Sequence, residues 1–186
     1  MIYLCSASKS RSMLLDKFGI RHKQVESNYD EDQITTSIAK EFVYQASKGK
    51  LEACIKKFDL EIPILCADSV ISTADGRILR KARDIDEARE LLMAQSGSKI
   101  SIISSLHYKS KDLLFSDISA THYDFAPFDS DDLDRYLESG EWRGKAGGCM
   151  VEGFCKRYIL SSTGYESTAM GLQVERLIPW IKKYKY

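Results

Sequence analysis

Ile62-Pro63-Ile64-Leu65-Cys66-Ala67-Asp68-Ser69-Val70 is the stretch on which the reading of this chain turns. The apolar run over residues 62–67 predicts a buried strand, and Asp68 comes where that strand should be ending. A carboxylate placed just past such a strand sits at the mouth of a sheet, where α/β enzymes collect their ligands. Asp75-Gly76 then turns the chain, so residues 70–73 and 77–79 are expected to form a hairpin that returns Lys81 towards Asp68. With Glu31 as a second carboxylate, Asp68 and Lys81 read as a site for a metal and a phosphate.

Upstream, Ile2–Cys5 reads as a strand, residues 6–11 as a polar turn, and residues 12–18 as a helix stopped by Gly19. Helix N-termini present unpaired N–H groups and a partial positive charge, so Ser6 and Ser8 with Lys9 and Arg11 suit an anion such as a triphosphate. A plain serine cap before a surface helix is the alternative. Residues 34–58 repeat apolar positions at helical spacing, with Lys48 and Lys50 in the middle and a kink expected at Gly49. Downstream come a helix from 84 or 85 to 94, paired strands over 100–108 and 113–125, and a helix over Ser130–Ser139 capped by Ser130 and Asp131. A glycine-rich segment over 140–153, a strand over 158–161 and a last helix over 169–184 complete the expected order.

At 186 residues, 44% hydrophobic and 29% charged, the chain can bury a full core, and residues 1–186 are expected to form one domain. Lysine plus arginine (27) equals aspartate plus glutamate (27), so no net basic field holds a nucleic-acid polymer, and a small phosphorylated ligand fits better. Cys5, Cys54, Cys66, Cys149 and Cys155 are odd in number and show no C-x-x-C pair. They read as reduced core thiols of a cytoplasmic protein rather than zinc ligands or disulfides. Met1-Ile2-Tyr3-Leu4-Cys5 is too short for a signal sequence, and no apolar stretch approaches the roughly 18 residues needed to span a membrane. His22, His107 and His122 are scattered without metal-ligand spacing and read as surface or strand residues.

The order of short motifs resembles a known family. Leu4-Cys5-Ser6-Ala7-Ser8-Lys9-Ser10-Arg11, Ala67-Asp68-Ser69-Val70, Gly76-Arg77-Ile78-Leu79-Arg80-Lys81, Ser96-Gly97, Ser139-Gly140-Glu141, Lys145-Ala146-Gly147, Glu152-Gly153 and Met170-Gly171-Leu172 are similar, in order, to blocks of the Maf family of nucleoside triphosphate pyrophosphatases. The resemblance implies a mixed, elongated sheet flanked by helices, with a cleft between two lobes, as in the inosine-triphosphate pyrophosphatases. It implies hydrolysis of a nucleoside triphosphate to the monophosphate and pyrophosphate with a divalent ion, Mg²⁺ or Mn²⁺, as part of the house-cleaning of nucleotide pools. It also leaves room for a homodimer. Position by position, it makes Asp68 the catalytic aspartate and Glu31 its partner. Lys81 and Lys50 then face the phosphates, with Lys48 as a neighbouring candidate for the second. The family's link to septum formation supplies an alternative, a nucleotide-binding regulator of division without turnover.

Phosphoanhydride hydrolysis needs charge neutralisation on non-bridging oxygens, an oriented water and a stabilised leaving group, which hard oxygen ligands and fixed cations supply. A carboxylate with an ordinary pKa of about 4 is a weak base at neutral pH, so metal ligation with water orientation ranks above base catalysis for Asp68. A phosphatase or phosphotransferase using the same groups is a third reading. Departures from the family pattern bear on the base. Ser10 replaces an arginine of the branch that hydrolyses dTTP and UTP, and Glu152 replaces its glutamine, which leans towards the branch that hydrolyses 7-methyl-GTP. Ser69 fits neither branch. A carboxylate at 152 can accept two hydrogen bonds from the N1–H and N2–H₂ edge of guanine.

Overall fold

The computed structural model describes residues 1–183. Its frame is a seven-stranded mixed sheet in which β1 (Ile2–Cys5), β2 (His22–Val25), β3 (Ile64–Thr73), β5 (Lys99–Lys109), β6 (Leu114–Phe125) and β7 (Ile159–Thr163) lie in the order β2-β1-β3-β5-β6-β7. The short β4 (Ile78–Leu79) pairs with β3 outside that path. The β1 strand runs parallel to β2 and β3, and the remaining pairings are antiparallel. The apolar run at the centre of the sequence becomes the spine of the molecule, because β3 pairs with β5 along its whole length, from Ile64↔Lys109 to Thr73↔Ile100.

The helices cover this spine on both faces. The α1 helix (Lys9–Lys17) is capped by Ser8, whose hydroxyl accepts from the Arg11 amide, and it buries Leu14 and Leu15. These pack with Leu65, Ala67 and Leu106 and with Leu177 of α6 (Val174–Lys183). Successive residues of a strand point to opposite faces, so Ile64, Cys66, Asp68 and Val70 face the other side, where α2 (Ala39–Ile55) lies against β3 and β5. The far end of the spine carries a second lobe. Ile71, Ile100, Tyr123 and Phe125 pack there with α3 (Ile85–Met93) and α4 (Ser130–Ser139) around the buried Trp142. Truncating a buried spine residue such as Leu65 to alanine would leave a cavity costing about 2–5 kcal/mol. No helix among the described residues is long and apolar enough to cross a membrane.

Several expectations need correction. The spine strand does not stop before Asp68; it continues to Thr73, because the antiparallel ladder to β5 supplies backbone partners throughout. Asp68 is therefore a mid-strand residue, and the opening beside it has another origin. The β1 ladder ends at Leu4↔Leu65, and β4 begins at Ile71↔Leu79, which leaves one edge of β3 unpaired between the two lobes. The α2 helix continues unbroken through Gly49, where an added Cβ would meet the Tyr29 ring. The cap of α4 is Asp129, whose carboxylate accepts from the Asp132 amide at 3.0 Å. The last helix is two, α5 (Glu166–Ala169) and α6, broken around Gly171 at φ +101°; the expected end at Tyr184 lies outside the described residues.

Candidate active site

The unpaired edge of β3 opens onto a cavity of about 440 Å³ between the lobes, a size typical of small-ligand sites. Three segments converge there: the loop after β1, the turn of 3-10 helix at Glu31–Gln33, and the chain after β4, where Lys81 forms a lone bridge with Ala146 of the glycine-rich segment. Ser6, Ser8, Ser10, Arg11, Glu31 and Lys50 all line this cavity, as do Asp68, Ser69, Lys81 and Glu152. Residues scattered from position 6 to position 152 are thus brought to one place.

Lys50 organises the acidic end. Its Nζ lies 2.5 Å from Glu31 Oε1 and 2.6 Å from Asp68 Oδ1. Lys48 is exposed and pairs with Glu52, so of the two lysines it is Lys50 that lies at the cavity. The Glu31 turn is built by Asp30, whose carboxylate accepts from the Asp32 amide, and Asp32 pairs with Arg80 at 2.9 Å, beside Lys81. That outer pair is exposed and adds little energy, but it ties the Glu31 turn to the Lys81 strand.

The two carboxylates differ in their proton affinity. Burial pushes the Asp68 carboxyl above the ordinary range, Glu31 adds to this, and Lys50 and Arg11 oppose it without prevailing. Burial also acts upward on Glu31, but the charges of Lys50, Lys81 and Arg80 outweigh it and hold that carboxyl below its usual value. Glu31 holds its negative charge more readily than a free glutamate, whereas Asp68 is more basic than a free aspartate. Asp68 Oδ2 has no hydrogen-bond partner among the described residues and is not sealed from solvent. Two carboxylates converging on one point with a free oxygen turned to the cavity fit a hard divalent ion such as Mg²⁺ or Mn²⁺.

Arg11 does less than expected towards a ligand and more towards the frame. Its guanidinium is buried and donates to Gly171 O at 2.8 Å, Ser6 Oγ at 3.0 Å and Ser69 Oγ at 3.0 Å. Three of its five N–H groups are thereby used. Gly171 is required by this contact, since a Cβ would stand 3.1 Å from Arg11 Nε and the backbone is left-handed there. Ser69 also bonds Ser104 Oγ at 2.8 Å, and Ser104 donates to Thr168 O. The Ser69 hydroxyl is therefore held between Arg11 and Ser104 at the wall of the cavity. Ser6 Oγ accepts from the Ser8 amide and from Arg11, and Ser8 Oγ accepts from the Arg11 amide. Both hydroxyls act as acceptors inside the loop, which leaves their protons to donate to an anion.

Across the cavity, Ser10 Oγ lies 3.4 Å from Glu152 Oε1, and Lys145 Nζ lies 3.7 Å from the same oxygen. Among the described residues Lys81 makes no ion pair and stays exposed at the cavity. Lys145 was not among the expected site residues, although its position in Lys145-Ala146-Gly147 marked it. Asn28, held at φ 54°, and Tyr29 also line the cavity; no sequence pattern flagged them. His107 is a buried strand residue bonded to Ser47 at 3.0 Å, outside the cavity.

The family model described as "Maf-like protein" matches residues 1–184. A protein of Nitratiruptor sp. named "Nucleoside triphosphate pyrophosphatase" is 51% identical over 95% of this chain and 96% of its own length. Proteins with the same name from Helicobacter pylori and Campylobacter jejuni subsp. doylei are 38% and 37% identical, over 97% and 95% of this chain and 95% and 98% of their own. The chain belongs to the Maf-like protein family.

Proposed function

We propose that this protein is a nucleoside triphosphate pyrophosphatase: it hydrolyses a nucleoside triphosphate between the α- and β-phosphates to the monophosphate and pyrophosphate, with a divalent ion. The observation that carries this reading is the pair Glu31 and Asp68, converged on one point beside an unpaired Lys81. The names of the relatives support the same reaction. The spine shared by both lobes supports one functional domain, and five free cysteines support a reducing cytoplasmic setting.

In this reading Glu31 and Asp68 would hold Mg²⁺ or Mn²⁺, which when bound supplies charge neutralisation at the phosphates. Asp68 orients the attacking water through Oδ2, with ligation of the ion and water orientation ranking above proton abstraction. Lys81 meets the charge that grows on the leaving pyrophosphate. Ser6 and Ser8 donate hydroxyl protons to phosphate oxygens, and Arg11 holds their loop while its remaining N–H groups face the same anion. Lys50 keeps the two carboxylates together before substrate arrives. Glu152, flanked by Ser10 and Lys145, reads the base, and its acceptor oxygens favour a guanine edge and a cationic 7-methylated purine. The retained carboxylate pair argues against a binder without turnover.

The test is the product. With Mg²⁺ or Mn²⁺ and a panel of 7-methyl-GTP, GTP, UTP and dTTP, phosphorus NMR should show pyrophosphate and a monophosphate. Orthophosphate would support a phosphatase instead, and binding without any product would support a regulator of division.

A further inference from the structure

Cys5 at the end of β1, Cys54 in the last turn of α2 and Cys66 in β3 bring their sulfurs within 4.8 Å of one another. Tertiary packing assembles this triangle from three separate elements. Each residue is at most 1% exposed, and Leu51, Ile64, Tyr3, Val25, Phe58 and Leu60 wall the group off. All three are free thiols, and among the described residues no further cysteine, histidine or carboxylate joins them.

Three thiols around a dry point narrow the class of ion. Thiolates are soft donors, and sulfurs around a pyramidal three-coordinate centre with bonds of about 2.3 Å stand about 3.5 Å apart, inside the 4.8 Å within which all three sulfurs lie. Charge decides the valence. A monovalent or divalent ion on three thiolates leaves net negative charge among apolar side chains, which burial penalises, whereas a trivalent ion leaves none. Lys57 is a cation whose charge reaches Cys5 and Cys54. Its ammonium is exposed, however, and donates to the carbonyl oxygens of Glu26 and Ser27, so solvent screens it.

We propose that Cys5, Cys54 and Cys66 form a binding site for a trivalent thiophilic ion of the arsenite class. In the capture step, arsenous acid exchanges three As–O bonds for three As–S bonds. Each thiol proton leaves with one hydroxide as water, and no oxidation state changes. Cys5 also belongs to the wall of the nucleotide cavity, so an ion reaches the buried sulfurs from that side when the wall gives way. Cys66 lies on the same face of β3 as Asp68, and Cys54 lies one turn beyond Lys50 on α2. Capture therefore ties β1, α2 and β3 together directly behind the Lys50–Asp68 pair, and nucleotide in the cavity should slow it.

Cys149 and Cys155, with sulfurs 3.2 Å apart, offer a competing thiol pair, so the test uses the reduced full chain carrying Cys149→Ser and Cys155→Ser. Native mass spectrometry after incubation with arsenite should show one arsenic gained and three hydrogens lost. A competing dithiol should reverse the gain, and a saturating triphosphate should slow it. Adding Cys54→Ala, or separately Cys5→Ala, should abolish the tight adduct, with thermal melts identifying whichever variant keeps its fold. An absent adduct, an adduct that survives both alanine variants, or tight binding of zinc or copper(I) where arsenite fails would overturn the assignment.

Discussion

Lys50 Nζ lies 2.6 Å from Asp68 Oδ1 in a site where both side chains are nearly closed to solvent. The same ammonium reaches Glu31, so it is the counter-charge that lets two carboxylates share one buried point. Replacing Lys50 with methionine would remove the counter-charge the two carboxylates share, a loss of about 3–5 kcal/mol for a broken buried pair. A divalent ion should recover more stability in that variant than in the parent. Thermal melts with and without Mg²⁺ measure this, and a metal-free variant as stable as the parent would remove Lys50 from that role.

Among the described residues the Lys81 ammonium makes no ion pair, so its charge is available to a ligand. Lys81→Ala should lower kcat as well as raise KM, because charge develops on the leaving pyrophosphate as the bond breaks. A loss on the order of 10-fold or more in kcat/KM with an unchanged melting temperature is expected. A variant whose only defect was thermal would make Lys81 a structural residue.

Glu152 faces Ser10 and Lys145 across the cavity. Glu152→Gln places a donor where the guanine edge also donates, and a mismatch of that kind costs about 1–3 kcal/mol. The preference for 7-methyl-GTP or GTP over UTP and dTTP should fall accordingly. An unchanged ratio of kcat/KM values, or a parent enzyme that prefers UTP or dTTP, would take base choice away from Glu152.

Burial holds the His107 imidazole down to about 4, well below its ordinary value, with the charge of Lys48 acting in the same direction. The unfolded chain therefore binds more protons than the folded one between about pH 6.5 and pH 4. The stability contributed by neutral His107 is fully present above that window and is lost as pH falls through it, by up to about 3 kcal/mol. Melting temperatures followed from pH 7 to pH 4 should fall more steeply for the parent than for His107→Gln, with about the stated difference between the curves. Parallel curves would show that His107 does not carry the acid sensitivity.

Much of this site was legible before any coordinates, because its chemistry sits in short segments of fixed residue type. All ten expected site residues line one cavity. What was not legible was why they meet. An apolar run announces a strand but not its end: Asp68 interrupts the hydrophobic pattern, while the backbone continues because β5 supplies its partners. The polar edge strand His22–Val25 carries no period-two signal and was missed, as was the turn at Glu31–Gln33. Gly49 reads locally as a weak point in a helix, yet the position is set by the Tyr29 ring that packs on it. The Arg11–Ser69 bond depends on the fold, since a sequence shows a cation and a hydroxyl but not that they are bonded to each other.

The central claim is that turnover runs through the carboxylate pair, and Asp68→Asn tests it most directly because it keeps the shape and removes the charge and the basicity. Steady-state hydrolysis of the preferred triphosphate with saturating Mg²⁺ or Mn²⁺ should fall by at least roughly 10²-fold in kcat, with pyrophosphate still the product of any residual activity. An Asp68→Asn protein that turns over near the parent rate would contradict the account.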